Sequence, residues 1–532
     1  KVLMQLINKD GQKRERLLTM LKKGYEEGGS QKYFIYFHKP ADVKDTTFMV
    51  YKYPDKDDDR WLFIPAISLP LQFVRTYNSK EEYQGPFGYA WTHSYNIRLT
   101  DKTDTVEEMD GDGTLVIFTK NLDGTYNSPK GNYSKLTKNF DGTFTLREKQ
   151  GTKYNFDTSG KLTSIIDPNH NQITLNYNSA GNLSSIIDTV GRQIILSYDS
   201  QNRIISITDP LNRKVTYAYD SDNNLISVTD TLGNKTTYEY KNFQHQHQLT
   251  KITDPERHYK DREPKSTHRY ITYDSQGRVE SFSYDADNHK ISLSYDPDNK
   301  KTTVTDSKGN KTIYYYTIIS DIRVINKIVD PTGHTQLFTW DDKLNKTSST
   351  DQNNQTTNMT YDNQGNLTSV TDPLPNTTNF TYEPIFNKVT SITDPLTHKT
   401  LYDYDDSGNL IKVTDAQGNI ITYTYDTSGN LTSLTDANSY STQYKYDPNG
   451  NLSEIIDPLG NTTKFTYDLL GNCTQITDAK DNSTSFTYDA LNRLTQITYP
   501  GSTKITYTYD EVGNRASIVD PKGNTTFYYY DG

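Results

Sequence analysis

The sequence predicts an all-β fold, a long antiparallel sheet of stacked hairpins, and three observations predict it. Aromatic residues, most followed by Asp, recur every 21 residues over most of the chain. Turn-forming Gly-Asn and Asp-Pro pairs fall between them on the same beat. Tyr alone numbers 43, amid abundant Thr and Ile, and these are strand formers. A 532-residue chain exceeds the usual size of one packed core, and the strict period selects a repeat array over separate domains.

The aromatic ladder runs Phe156, Tyr177, Tyr198, Tyr219 and Tyr240, then Trp340, Tyr361, Tyr382, Tyr404, Tyr425, Tyr446, Tyr467, Tyr488, Tyr509 and Tyr530. Every step within these two runs is 21 residues except the 22 between Tyr382 and Tyr404. A second ladder keeps the beat: Asp167, Asp188, Asp209 and Asp230, then Asp330, Asp351, Asp372, Asp394, Asp415, Asp436, Asp457 and Asp478.

One unit, Gly450 to Asp468, shows the physics. Gly450-Asn451 and Gly460-Asn461 supply positive φ for turns, and Asp457-Pro458 starts one while withholding a donor. Thr463, Phe465 and Tyr467 alternate onto one strand face. Leu452 and Ile455, three apart, cannot share a face without a bulge. Each repeat is therefore a hairpin. Aromatics at matching positions recur about every 10 Å, too far for ring stacking alone, so Leu, Ile and Thr must fill between them.

The spacing breaks over residues 241–330. Tyr240 to Tyr273 is 33 residues, Tyr273, Tyr284 and Tyr295 follow at 11 each, and Asp306 to Asp330 is 24. The expected structure is an elongated hairpin turn with a local change of curvature; the alternative is a protruding functional loop.

Composition excludes several classes. Net charge is −10, so no clustered basic face for nucleic acid is expected. The single cysteine, Cys473, permits no disulfide framework and reads as filler at a Leu position of the repeat. No apolar run approaches the about 18 residues of a membrane helix. No leader is visible, but the chain opens at Lys1 rather than Met, so this decides nothing.

The motif YDxxGNLxxxTDPxGNxTxxxYxYD over residues 151–532 resembles the RHS/YD-repeat family of wall-associated proteins, toxin-complex C subunits and teneurins. The segment ahead also resembles that family's lead-in module, here 68–150. Its tokens are Arg75-Thr76-Tyr77-Asn78-Ser79, Gly85-Pro86-Phe87-Gly88 and Trp91-Thr92-His93. The resemblance implies a spiralling sheet that forms a hollow shell able to enclose a C-terminal toxin. No self-cleavage core and no variable toxin domain follow the repeats, so the chain reads as a piece of shell wall, and neither activity is carried over to any residue.

Residues 1–67 lack the period. Pro40-Ala41-Asp42-Val43, Thr46-Thr47-Phe48-Met49 and Asp57-Asp58-Asp59-Arg60-Trp61-Leu62 resemble part of an outer-membrane lipoprotein-sorting domain. This implies a small α+β fragment of a half-barrel with a lipid-holding face. Only a middle piece is present, and a half-barrel missing strands cannot close its cavity.

Candidate chemistry is sparse. An Asp repeated at fixed period is a turn residue. Asp110-Gly111-Asp112-Gly113 resembles a calcium loop but lacks its Glu at the twelfth position, so a hairpin turn is expected. His245-Gln246-His247 could grip a metal from one strand face, but nothing else has diagnostic spacing. Asn461-Thr462-Thr463 matches a glycosylation acceptor and reads as turn chemistry. No catalytic, cofactor-binding or metal-ligating residue is assigned, and no cofactor.

From Phe156 to Tyr530 the array should hold about 36 strands, or about 170 Å of sheet, which must curl into an open shell about 50 Å across. The expected function is a non-enzymatic β-shell, secreted or at a bacterial cell surface, whose partner is a C-terminal toxin or effector used in competition between cells. The alternative is a surface adhesin whose Tyr-rich face binds glycans.

Overall fold

The computed structural model describes residues 69–80, 83–240, 246–258, 265–284 and 289–530, together with the backbone of five strands ahead of them. Among these residues every regular element is a strand or an isolated bridge, and none is a helix. The expectation of helix in the N-terminal fragment is thereby corrected. Val2–Ile7 and Lys13–Lys23 are strands, and with Gln31–Lys39, Thr47–Lys52 and Asp59–Phe63 they pair in chain order as a sheet of their own. The interrupting Asp10-Gly11 dipeptide is a hairpin signal, and it outweighs the Leu-rich pattern around it. A lipid-holding face for residues 1–67 lies outside the described residues.

From Lys135–Lys138 to Thr525–Phe527 one antiparallel sheet of 37 strands runs with every strand beside its chain neighbours. Each repeat places a turn at either edge. At the Asp457 turn the carboxylate accepts from the amides of Leu459 and Asn461 and from the Asn461 side chain, at 2.8–2.9 Å. Gly460 takes φ +84° there, where a side chain would be strained. These bonds hold the Asp457 carboxyl below its usual range, the Asn461 side chain contributing most. The Asp ladder is thus the turn ladder.

Each Tyr-Asp edge also carries the bulge that the Leu-to-Ile spacing requires. Tyr444 pairs with Ile455 and Lys445 with Glu454, but Tyr446 pairs with Leu452, so Ser453 is the extra residue. The slip brings Leu452 and Ile455 to the face of Tyr444 and Tyr446. One sheet face therefore carries the Tyr, Leu and Ile. The other carries Thr, Ser and charge, including the Lys445–Glu454 ion pair at 2.8 Å.

The sheet coils onto itself. Asn169 and Asn409 exchange side-chain amide bonds, Asn171 donates to the Ser428 carbonyl, Thr231 to Ala490, and the Arg213 guanidinium to Ala490 and Asn492. In every one of these pairs a turn of the Thr-Asp edge meets a turn of the Tyr-Asp edge, 240–279 residues later. That separation is about twelve repeats, or about 24 strands, giving a circumference near about 115 Å and a tube about 37 Å across. The tube is narrower than a single curl of the whole strip would be, because the 37 strands wind about one and a half times round and the second coil overlaps the first.

The 22-residue step supplies a peg in this seam. Its extra residue lengthens the Glu383–Lys388 turn, whose Glu383 carboxylate accepts from Ile385, Phe386 and Lys388 amides. The Phe386 ring fits against Gly151 and Gly408, where an added Cβ would lie 2.7 and 2.9 Å from it. Arg147 clamps the same turn by donating to the Ile385 carbonyl at 2.7 Å.

The irregular region has two forms. Beyond the Thr253–His268 pair, Arg257 and Lys265 form an isolated bridge outside the strands. Lys311–Ile319 and Ile322–Val329 make a hairpin longer than the repeats on either side, turning at Ser320 and Asp321.

Candidate functional site

The Tyr face is the surface with chemical character, and the two coils treat it differently. In the first coil the lead-in residues cover it. Phe87 meets Tyr217 edge-on with ring centroids 4.8 Å apart, Trp91 meets Tyr238 at 5.3 Å, and the Trp91 indole donates to the Tyr240 hydroxyl at 2.9 Å. Tyr77 donates to the His247 carbonyl and accepts from the Leu249 amide. The Arg75 guanidinium lies 5.2–5.8 Å from the rings of Phe87, Trp91 and Tyr217, within cation–π range. His93, stacked on Phe73, is fully buried, and desolvation pushes its pKa down to about 3, so it is neutral. Beneath this cover Leu162, Leu183, Ile186, Ile204 and Leu225 form a dry core.

In the second coil no described residue of the lead-in segment packs over the same face. Of its large apolar side chains only Leu452 is fully buried among the described residues. Phe380, Tyr402, Tyr423, Tyr444, Phe465 and Phe486 are half-buried, each between the flanking Leu, Ile or Val of neighbouring strands. Several outer Tyr hydroxyls are committed: Tyr404 donates to Val389, Tyr425 to Leu410, Tyr446 to Leu431 and Tyr509 to Leu494, all at 2.8–2.9 Å to carbonyl oxygen. Burial raises the pKa of the Tyr404 and Tyr488 hydroxyls to about 12 and of the Cys473 thiol to about 11. Two cations stand where Leu stands in other repeats, Lys346 over the Phe338 ring and Arg515 over Tyr507.

The residues singled out from the sequence fall elsewhere. Asp110 opens a hairpin turn between Thr105–Met109 and Leu115–Lys120, with its carboxylate on the Gly111 amide. Asn461 and Thr462 lie in the Asp457 turn and the strand after it. His247 stacks on Tyr89 at 3.6 Å and faces Asn224, while His245 lies outside the described residues. Among the described residues no three His, Cys, Asp or Glu side chains are grouped to hold a metal.

One group escaped sequence reasoning. Glu108 is buried, and desolvation, with Asp110 and Glu148 nearby, pushes its pKa up to about 7. Asp110 and Glu148 are raised as well, chiefly by burial, and Tyr154 bonds Glu148. The two-residue alternation placing Val106, Glu108 and Asp110 on one face was the available signal.

Comparison with known proteins adds the following. The RHS Repeat family model matches residues 156–193, 198–234, 219–258, 340–377, 386–420, 404–442, 425–462, 446–483, 467–504 and 488–525, more than half the chain. A model described as a domain of unknown function matches residues 58–118, and one described as an uncharacterized protein matches 29–85. The tRNA nuclease WapA of Bacillus subtilis (strain 168) is 34% identical over 106 residues, 20% of this chain and 4% of the nuclease. The chain thus spans a small part of that relative. Among solved structures, the Photorhabdus luminescens Tc holotoxin pore covers 96% of this chain at 12% identity and TM-score 0.47, with 31% of its own chain matched. TcdB2-TccC3 without its hypervariable C-terminal region covers 97% at 13% identity and TM-score 0.47, again with 31% matched.

Proposed function

The chain belongs to the RHS repeat family, and on that premise we propose that it is the structural β-shell of a secreted or cell-surface protein, enclosing or presenting a C-terminal effector in competition between cells. The observation that carries this reading is the unequal treatment of one face. Among the described residues, the first coil's Tyr face is packed shut by the lead-in segment, whereas the second coil's is left half-buried. A strip that closes on itself must have an inner face. Side chains converge on a concave surface, and the half-burial of uncovered Tyr and Phe fits that position. A tube about 37 Å across leaves a lumen wider than side chains fill.

The glycan-binding alternative finds less support. Sugar recognition on aromatic surfaces needs polar groups beside the rings, and the hydroxyls of Tyr404, Tyr425, Tyr446 and Tyr509 are spent on backbone carbonyls, which leaves that role to the inner Tyr402, Tyr423 and Tyr444. The chain itself does no catalysis in this reading, and its division into 1–67, 68–150 and 151–532 is part of the proposal. The test joins the chain to its natural C-terminal extension and follows limited proteolysis. The shell should protect the extension many-fold over the free peptide. Digestion at equal rates would remove the shell reading and leave the adhesin in its place.

A further inference from the structure

The lead-in module and both coils meet at one place, and carboxyl groups sit in it. Thr105–Met109 belongs to the four-stranded lead-in sheet, where Glu108 shares a face with Val106 and lies opposite Leu99 on one neighbouring strand and Val116 on the other. Leu99, Val106 and Phe118 are buried in one cluster with Leu146 and Phe156 of the long sheet. Among these apolar side chains Glu108 is only 7% exposed. Glu148 of the first coil lies near it and accepts a hydrogen bond from the Tyr154 hydroxyl. Asp110 is the third carboxyl of the group, with its own bond from the Gly111 amide at 2.6 Å.

Glu148 also belongs to the seam. It opens the turn that the Glu148 amide closes by donating to the Thr152 carbonyl, and the Gly151 amide by donating to that of Glu148. This turn is the socket of the Phe386 peg. Gly151 lies against the ring, Arg147 donates to the Ile385 carbonyl at 2.7 Å, and the Lys149 carbonyl accepts from the Asn387 side chain at 3.1 Å. Two neighbouring carboxyls therefore stand where lead-in sheet, first coil and second coil join.

Among the described residues no cation answers them. Arg147 is spent on Ile385, Lys149 lies over the Tyr133 ring and Arg98 over Tyr83. Lys102 pairs with Glu107, and Lys120 and Lys138 pair with Asp101 at the far end of the Glu108 face. Lys135 and Lys153, both opposite Arg147, lie on the sheet face away from Leu146 and Tyr154. With nothing to offset it, desolvation, aided by Asp110 and Glu148, lifts the pKa of Glu108 from the ordinary 4.5 to about 7, and burial raises that of Glu148. A Gln at either place would fill the space without any such dependence on pH.

We propose that this three-way contact is a pH-operated catch on the wall of the tube. With Glu108 and Glu148 protonated, the interface is neutral and dry, and it holds the lead-in sheet on the first coil and the socket against Phe386. With both ionised, two carboxylates share a buried contact that has no counter-charge, and the contact opens. The sign follows from linkage. An exposed Glu108 loses its proton near 4.5 and the buried one near 7, so each unit of rising pH between these values favours the open form about tenfold. The full change from Glu108 is about 300-fold, and it levels off above pH 7. Glu148, shifted in the same sense, steepens the dependence. Opening bares Leu146 and Phe156 at the lead-in end and frees the Phe386 turn in the seam. The catch concerns the wall alone and does not depend on what the shell encloses.

The experiment is amide hydrogen exchange on the 532-residue chain from pH 5 to pH 8, with rates corrected for the intrinsic effect of pH. Residues 105–120, 144–156 and 383–388 report on the three sides of the contact, and 441–456 of the second coil serve as control. None of these segments contains His, the side chain that ordinarily titrates in this range. Opening at the three sites should rise about tenfold or more per pH unit up to pH 7 and then flatten, while the control stays level. Glu108→Gln with Glu148→Gln should keep the protection seen at pH 5 and hold it to pH 8. Protection of 105–120 that is the same at pH 5 and pH 8 in the unmodified chain would overturn the proposal, whether or not the variants fold. So would a pH dependence that survives the double substitution, or one that reaches 105–120 and leaves 383–388 unchanged.

Discussion

The Tyr198 hydroxyl donates to the Leu183 carbonyl, 2.7 Å away and 15 residues upstream. On the other side Tyr198 pairs in the ladder with Ile204, across the bulge of the following strand. Each such Tyr therefore ties the hairpin before it to the hairpin after it. The bond recurs from Tyr177 to Leu162, Tyr219 to Ile204 and Tyr488 to Cys473, and Trp340 keeps it by donating its indole nitrogen to Ile325. The bond lies beyond Ser185–Ile195, the last pair toward that edge between the two strands it joins, and it closes their splayed end.

Tyr198→Phe keeps the ring and removes only this bond, so it should cost about 1 kcal/mol. Tyr198→Ala removes the ring too and should cost about 3 kcal/mol. Amide hydrogen exchange should quicken around residues 183–204 and stay unchanged near Tyr509, because repeats couple mainly to their neighbours. Uniform loss of protection along the sheet would contradict this.

The seam should show coupling between residues far apart in sequence. Gly151 has φ +104° and would place a Cβ 2.7 Å from the Phe386 ring. Gly151→Ala should therefore destabilise by about 2 kcal/mol, through the positive φ and the clash together. Phe386→Ala should relieve the clash, so the double variant should be less unstable than the two losses added, by about 1 kcal/mol. Strict additivity in denaturant unfolding would mean that the ring does not sit there.

What was legible depended on range. Hairpins, Asx-type turns and the shared face of Phe465 and Tyr467 each rest on residues within one or two repeats, so the 21-residue beat carries them. The conflict between Leu452 and Ile455 even announced the bulge, though not that Ser453 would be the extra residue. The Asn169–Asn409 contact spans 240 residues and leaves no local mark. Its one trace was the 22-residue step, which lengthens the Glu383 turn and delivers Phe386 to the seam. Which coil's Tyr face is covered did leave a trace that went unread: the first coil sets Ile173, Leu175, Ile194 and Leu196 where the second sets Thr463, Phe465, Thr484 and Phe486.

Glu108 makes stability depend on pH in an unusual direction. Its folded pKa, raised by burial to about 7, lies above the ordinary 4.5, so the folded chain holds a proton that the unfolded chain releases. Stability from this group is fully present below about pH 4.5 and is lost as pH rises through about 7, up to about 3 kcal/mol. Glu108→Gln should raise the melting temperature at pH 8 and have little effect at pH 4. Equal effects at both values would show that Glu108 ionises normally.

Two N-terminal deletions should behave oppositely, because the lead-in segment packs on the repeat sheet and the five strands ahead of it pair with one another. Removing Lys1–Ala66 takes away a segment that shares no period with the repeats and pairs in a sheet of its own. Melting of the repeat region should hardly move. Removing 68–132 instead strips Phe87, Trp91 and Tyr77 from Tyr217, Tyr238 and Leu249, and bares Leu183, Ile186, Ile204 and Leu225. Burying a large apolar side chain is worth about 1.5–3 kcal/mol, so losing cover over these four residues alone should cost several kcal/mol. The first coil should then melt well before the second, whose Tyr face has no such cover to lose. Calorimetry of the 68–132 deletion should show two transitions where the whole chain shows the first coil melting with or after the second. A single unshifted transition would mean that the lead-in segment lies on the face without holding it.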